Sequence, residues 1–163
     1  LINTDYPTYN FDVLDGVTYE IDVTQPARYS RGGELENPDA TRIVNLAYEG
    51  EPVTDDQEFL VASNNYRASG GGNFPGITAD KIVVDAPDAN RDVLANFIAE
   101  QGVINPAPDM NWTFSPINDT VDVVFLSSPA DQSLDYSQQF PGIVCEGDVN
   151  DEGFAICDIN LSQ

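Results

Sequence analysis

Val17-Thr18-Tyr19-Glu20-Ile21-Asp22-Val23 alternates apolar and polar side chains, with Val17, Tyr19, Ile21 and Val23 facing one way and Thr18, Glu20 and Asp22 the other. A period of two predicts a half-buried strand. Upstream, residues 1–11 carry Tyr6, Pro7, Tyr9 and Phe11 and read as an extended segment. Downstream, residues 28–41 are rich in Gly, Pro, Asn and charge, which predicts a loop. Arg42 to Tyr48 supplies a second strand through Ile43, Val44, Leu46 and Tyr48, and Glu49-Gly50-Glu51-Pro52 reads as the turn that ends it. Further strands are expected at Glu58 to Ala62, at Lys81 to Asp85 (short and buried), at Val121 to Leu126 and at Phe154 to Leu161. Ala89, Val93, Leu94, Phe97 and Ile98 recur at helical spacing, predicting a helix from about Ala89 to Gln101 with Asp88 as N-cap and Gly102 as its stop. A shorter helix is expected around Ala130 to Gln138. The class is therefore α/β or α+β, with mixed sheets covered by one or two helices. A length of 163 residues favours a single domain, 1–163, or a large piece of one.

The composition excludes several chemistries. Lys and Arg number 6 against 28 Asp and Glu, a formal charge of -22, with no His and two Cys. Without imidazole, neither a Ser-His-Asp nor a Cys-His centre can form. Two Cys and no His also fall short of the usual four-ligand zinc sites. Nucleic-acid polymers need clustered cations that this acidic chain lacks. Apolar residues at 41% and aromatics at 10% are enough for a core. The apolar runs are far shorter than the roughly 20 residues of a membrane span. The first residues show no charged-then-apolar signal pattern, so a mature, trimmed or internal chain is expected.

Cys145 and Cys157 lie 12 residues apart around Gly147, Asn150, Asp151 and Gly153. That spacing suits a disulfide pinning a hairpin-like loop in an oxidising compartment, with two free buried thiols as the alternative. Ser69-Gly70-Gly71-Gly72-Asn73 forms a Gly-rich loop, but no Gly-Lys-Ser/Thr follows it, so it is not a P-loop. Its glycines let the backbone turn sharply beside Tyr66, Arg67 and Phe74. The acidic groups Asp55-Asp56, Asp148 with Asp151-Glu152, and Asp12 with Asp15 do not fit a calcium loop, and read as solvated turn residues. Asn111, Asn118 and Asn160 each open a glycosylation sequon, at a frequency that chance explains in an Asn-rich chain.

Three segments carry a family resemblance. They are Tyr9-Asn10-Phe11-Asp12-Val13-Leu14-Asp15-Gly16-Val17-Thr18-Tyr19-Glu20-Ile21-Asp22, then Gln57-Glu58-Phe59-Leu60-Val61-Ala62-Ser63-Asn64-Asn65-Tyr66-Arg67-Ala68 with the glycines after it, and Gly153-Phe154-Ala155-Ile156. Through them the chain resembles the C-terminal domain of bacterial 2',3'-cyclic-nucleotide 2'-phosphodiesterase/3'-nucleotidases, within the 5'-nucleotidase superfamily. The resemblance implies that this chain binds a nucleoside or nucleotide. It implies that hydrolysis belongs to an N-terminal metallophosphoesterase domain carrying two divalent metals, with no cofactor held here and a periplasmic, secreted or cell-surface location.

In such proteins the base is sandwiched between two aromatic rings. Tyr66 matches one, and the other is expected before Leu1. Gly16 matches a glycine of the base pocket. Asn64 and Asn65 are expected to hold the strand end, and Gly70, Gly71, Gly72 and Asn73 to let the backbone approach the ribose. Arg67 either meets the ligand or forms a structural ion pair. Relatives acting on 5'-nucleotides resemble one another in carrying Asp where this chain has Gly72, and that Asp grips the ribose hydroxyls. A carboxylate there would repel a 2'- or 3'-phosphate, so Gly72 implies cyclic and 3'-phosphate substrates. Two other readings stand beside this one: the C-terminal domain of a 5'-nucleotidase or UDP-sugar hydrolase, and a non-catalytic acidic binding module of a cell-surface protein.

Overall fold

The computed structural model describes residues 11–118, 122–127 and 130–162. Most of the expected opening segment (residues 1–10), Val121 at the head of one expected strand, and part of the Asn118 sequon lie outside these residues. Two sheets form, the first in the order β3-β2-β1-β4 and the second β5-β7-β6, giving a mixed α+β fold.

The alternating segment becomes β1 (Thr18–Ile21), paired antiparallel with β2 (Ile43–Tyr48). The register shifts between Thr18 and Glu20, where Asn45 takes a positive φ of 54° and donates from Nδ2 to Glu20 Oε1 at 3.0 Å. This is a bulge fixed by a side chain that tolerates the left-handed region. The turn after β2 is tighter than expected. Glu49 (φ 52°) and Gly50 (φ 87°) make a two-residue connection, and Glu51–Pro52 forms β3. Positive φ at both central residues matches the twist of the flanking strands. Pro52 is tolerated because β3 is the sheet edge. Beyond β1, Asp22 accepts hydrogen bonds from Thr24 Oγ1 at 2.6 Å and Thr24 N–H at 2.9 Å. Thr24 thereby holds the Asp22 carboxyl below the usual carboxylate range.

β4 (Trp112–Phe114) joins β1 in parallel, with Tyr19 opposite Trp112. Asn111 clamps this junction, donating from Nδ2 to the carbonyls of Leu14 (2.6 Å) and Val17 (2.9 Å). Aromatic rings fill the space around it. Trp112 lies 6.5 Å from Tyr19, 5.8 Å from Phe11 and 5.5 Å from Phe114. Tyr19 is buried, and its hydroxyl accepts from the Leu14 N–H at 3.1 Å, satisfying the polar tip of a core ring.

In the second sheet, β7 (Ala155–Ile159) lies between β5 (Val124–Ser127) and β6 (Ile143–Val149). Ala155 and Cys157 are fully buried. α3 (Ala130–Ser137) packs on β6 and β7. Cys145 pairs with Cys157 across the ladder and is bonded to it. The sheets are tied together where the Ile117 N–H donates to the Leu161 carbonyl at 2.7 Å.

Between the sheets the chain departs from several expectations. Glu58 to Ala62 is not a strand but irregular chain with no ladder partner among the described residues, and Leu60 is 78% exposed. Lys81 to Asp85 is not a buried strand either. A 3-10 turn occupies Ala79–Lys81, and Val83 is 73% exposed. The expected helix is α2 (Asn90–Gln101), ended at Gly102 (φ 74°), whose N–H donates to the Ile98 carbonyl at 2.9 Å. Its N-cap is Ala89 without a side-chain hydrogen bond, rather than Asp88, because the first helical turn begins one residue later than expected. The apolar face of α2 is open to solvent, with Phe97 52% exposed.

Candidate functional site

The Asn-Asn-Tyr-Arg-Ala segment folds into α1 (Asn65–Ala68), one helical turn capped by Asn64, whose Oδ1 accepts from the Arg67 N–H at 2.8 Å. The Asn65 carbonyl accepts from the Ser69 N–H at 3.1 Å, closing the turn. An Asn64→Ala change removes the side-chain cap and lowers stability by about 1 kcal/mol. Urea unfolding reads this as an earlier midpoint, and an unshifted midpoint contradicts it.

The glycines that follow are set by contacts. The Gly71 N–H donates to the Tyr66 carbonyl at 2.8 Å, and a Cβ on Gly71 would lie 2.6 Å from the Tyr66 ring. The loop therefore folds directly over Tyr66, and only glycine fits. Gly72 has φ +86°, and a Cβ there would overlap Arg67 Nη1 and approach Phe74 at 3.0 Å. Gly70 also has positive φ, with its added Cβ position 3.4 Å from the Ile77 carbonyl. Asn73 (φ 58°) donates from Nδ2 to the Arg31 carbonyl at 3.3 Å, binding the Gly-rich loop to the long loop of residues 28–41.

Arg67 is the hub. Its Nε lies 2.7 Å from Asp12 Oδ2, its Nη2 donates to Asp12 Oδ1 at 3.0 Å, and its Nη1 donates to the Gly71 carbonyl at 3.1 Å. The guanidinium stands 4.8 Å from the Phe74 ring centroid and 5.5 Å from that of Tyr66. Its side chain is 12% exposed. Of the two roles expected for Arg67, the ion pair is present in this structure. Asp12 stays exposed but is ion-paired rather than a turn residue facing only solvent, which sharpens its reading from sequence: a paired guanidinium 55 positions away could not be seen from local acidity. Tyr66 is 63% exposed and keeps ring surface open to solvent.

Asn64, Asn65, Tyr66, Arg67, Gly70, Gly71, Gly72 and Asn73 are brought together in this loop, joined by Asp12 and Phe74. Gly16 (φ 82°) lies in a different, open hollow of about 260 Å³ lined by Asp15, Thr18, Glu49, Asp109 and Asn111 among others. No residue of the Gly-rich loop lines that hollow. The donor set does not fit a two-metal centre. The chain has no His, and among the described residues no three Cys, Asp or Glu converge to hold an ion. Among the described residues no helix is long and apolar enough to cross a membrane.

An exposed ring thus stands on a tight Gly-rich loop, backed by a tethered cation. Residues 2–79 match the family described as 5'-nucleotidase, C-terminal domain, and the chain belongs to that family. It is 44% identical over 167 residues to the 2',3'-cyclic-nucleotide 2'-phosphodiesterase/3'-nucleotidase of Haemophilus influenzae, covering 97% of this chain and 25% of that protein. It is 46% identical over 173 residues to the protein of the same description from Salmonella typhimurium, covering 100% and 26%. It is also 53% identical over 120 residues to the trifunctional nucleotide phosphoesterase protein YfkN of Bacillus subtilis, covering 74% and 8%. The chain thus spans about a quarter of the first two relatives and under a tenth of the third. No solved structure matches it significantly.

Proposed function

We propose that this chain is the nucleoside-binding domain of a metal-dependent phosphoesterase that hydrolyses 2',3'-cyclic nucleotides and 3'-nucleotides. The observation that carries the reading is the loop itself: an exposed Tyr66 ring beside a Gly72 that has no room for a side chain. A ring of this kind stacks on any base. A bare residue 72 puts no carboxylate where a phosphate on the ribose edge would meet it. Hydrolysis belongs to two divalent metals on another domain of the same polypeptide, because the donors here do not suit them. The Cys145–Cys157 bond supports an oxidising location, periplasmic or outside the cell.

The test compares initial rates of the full-length protein on 2',3'-cyclic AMP, 3'-AMP and 5'-AMP. Cyclic AMP and 3'-AMP are expected to be hydrolysed in preference. A preference for 5'-AMP would instead place the protein with 5'-nucleotidases or UDP-sugar hydrolases, and no hydrolysis of any of the three would favour a non-catalytic module.

A further inference from the structure

We propose that Asp12 is a positioning residue for nucleoside recognition, and that the Asp12–Arg67 pair is what obliges residue 72 to be glycine. The proposal rests on the nucleoside-binding reading of Tyr66. Asp12 takes Nε and Nη2 of the guanidinium at 2.7 and 3.0 Å, and the Gly71 carbonyl takes Nη1 at 3.1 Å. Two-point pairing of a planar fork fixes direction as well as distance. The Phe74 ring at 4.8 Å and the Tyr66 ring at 5.5 Å restrict the same group further.

An untethered Arg side chain could swing away from residue 72. This one cannot without breaking the Asp12 pair, and its Cζ stands 3.1 Å from where a Cβ on residue 72 would sit. A guanidinium locked by Asp12 and a side chain at position 72 are therefore alternative occupants of one space. Arg67 spends its fork on Asp12 and the loop carbonyl, so it acts on the ligand through the placement of Tyr66 and the bare loop edge. Asp12 reaches the loop from the segment preceding β1, and couples that segment to the platform.

Two measurements on the full-length protein test this. The first compares kcat/KM for 2',3'-cyclic AMP with kcat/KM for bis(p-nitrophenyl) phosphate, a diester without a base. Asp12→Ala is expected to lower the ratio of the two about tenfold, mainly through a higher KM for the nucleotide, and Asp12→Glu to restore part of it. An unchanged ratio, including a parallel fall on both substrates, overturns the positioning role. The second is a thermal double-mutant cycle. Gly72→Asn, a residue that tolerates the left-handed backbone, is expected to lower the Tm clearly when Arg67 is present and much less in an Arg67→Ala background. Equal losses in both backgrounds overturn the exclusion of side chains by Arg67. If the wild-type protein hydrolyses neither diester, the functional reading fails, while the Tm cycle still decides the packing claim.

Discussion

Tyr66→Ala raises the KM of the full-length protein for 2',3'-cyclic AMP by about 5- to 150-fold, the equivalent of the roughly 1–3 kcal/mol that a base gains by stacking on an aromatic ring. The effect is large because the ring is 63% exposed while its backbone is held by the cap at Asn64 and the Gly71 hydrogen bond. The ring is thus available to a ligand without the loop having to rearrange. Tyr66→Phe keeps the face and changes KM little. The loss on Tyr66→Ala extends to guanine and pyrimidine nucleotides alike, because every base presents a flat face. Steady-state kinetics on four nucleotides checks this, and an unchanged KM for Tyr66→Ala removes the ring from nucleoside recognition.

The second large effect is structural. Opening the Cys145–Cys157 bond, by reductant or by Cys145→Ser with Cys157→Ser, lowers stability by about 3 kcal/mol in the chain-entropy account of a loop this size. The sulfurs sit opposite one another on β6 and β7, and Cys157 is fully buried in the middle strand of the second sheet. Losing the bond frees the β6–β7 hairpin in the unfolded chain and leaves a buried polar group in its place after substitution. Chemical denaturation with and without reductant reads the change as a shift in midpoint. Coincident curves contradict it.

What was legible in the sequence follows from what periodicity encodes. β1, β2, α2, α3, β5 and β7 lie close to where alternation or helical spacing predicts them, and Gly102 ends α2 as expected. β3 and β4 were not foreseen. β3 contains a proline and β4 is three residues long, and both exist because a neighbouring strand receives them. β6 was hidden by its glycine and acidic residues, which are normally depleted in strands. The converse failure is at Glu58 to Ala62 and Lys81 to Asp85. Apolar runs report a tendency to be buried, but a strand also needs a partner for its backbone groups. At the site, the loop was readable because Gly and Asn mark sharp backbone turns. Asp12 was not, since an ion pair 55 residues apart leaves no mark on either local segment.

That separation bears on when the platform exists. Closing a chain of 55 residues costs about 3.5 kcal/mol of conformational entropy plus a constant, before the Asp12–Arg67 contact returns anything. The β2–β3 connection, by contrast, closes over only Glu49 and Gly50. Local hairpins therefore form first, and the pair joins only after the chain between β1 and α1 has been drawn in. The loop around Tyr66 is therefore completed after the local hairpins, and so is the still longer β1–β4 pairing, so a nascent or partly folded chain carries its hairpins before it carries the candidate site.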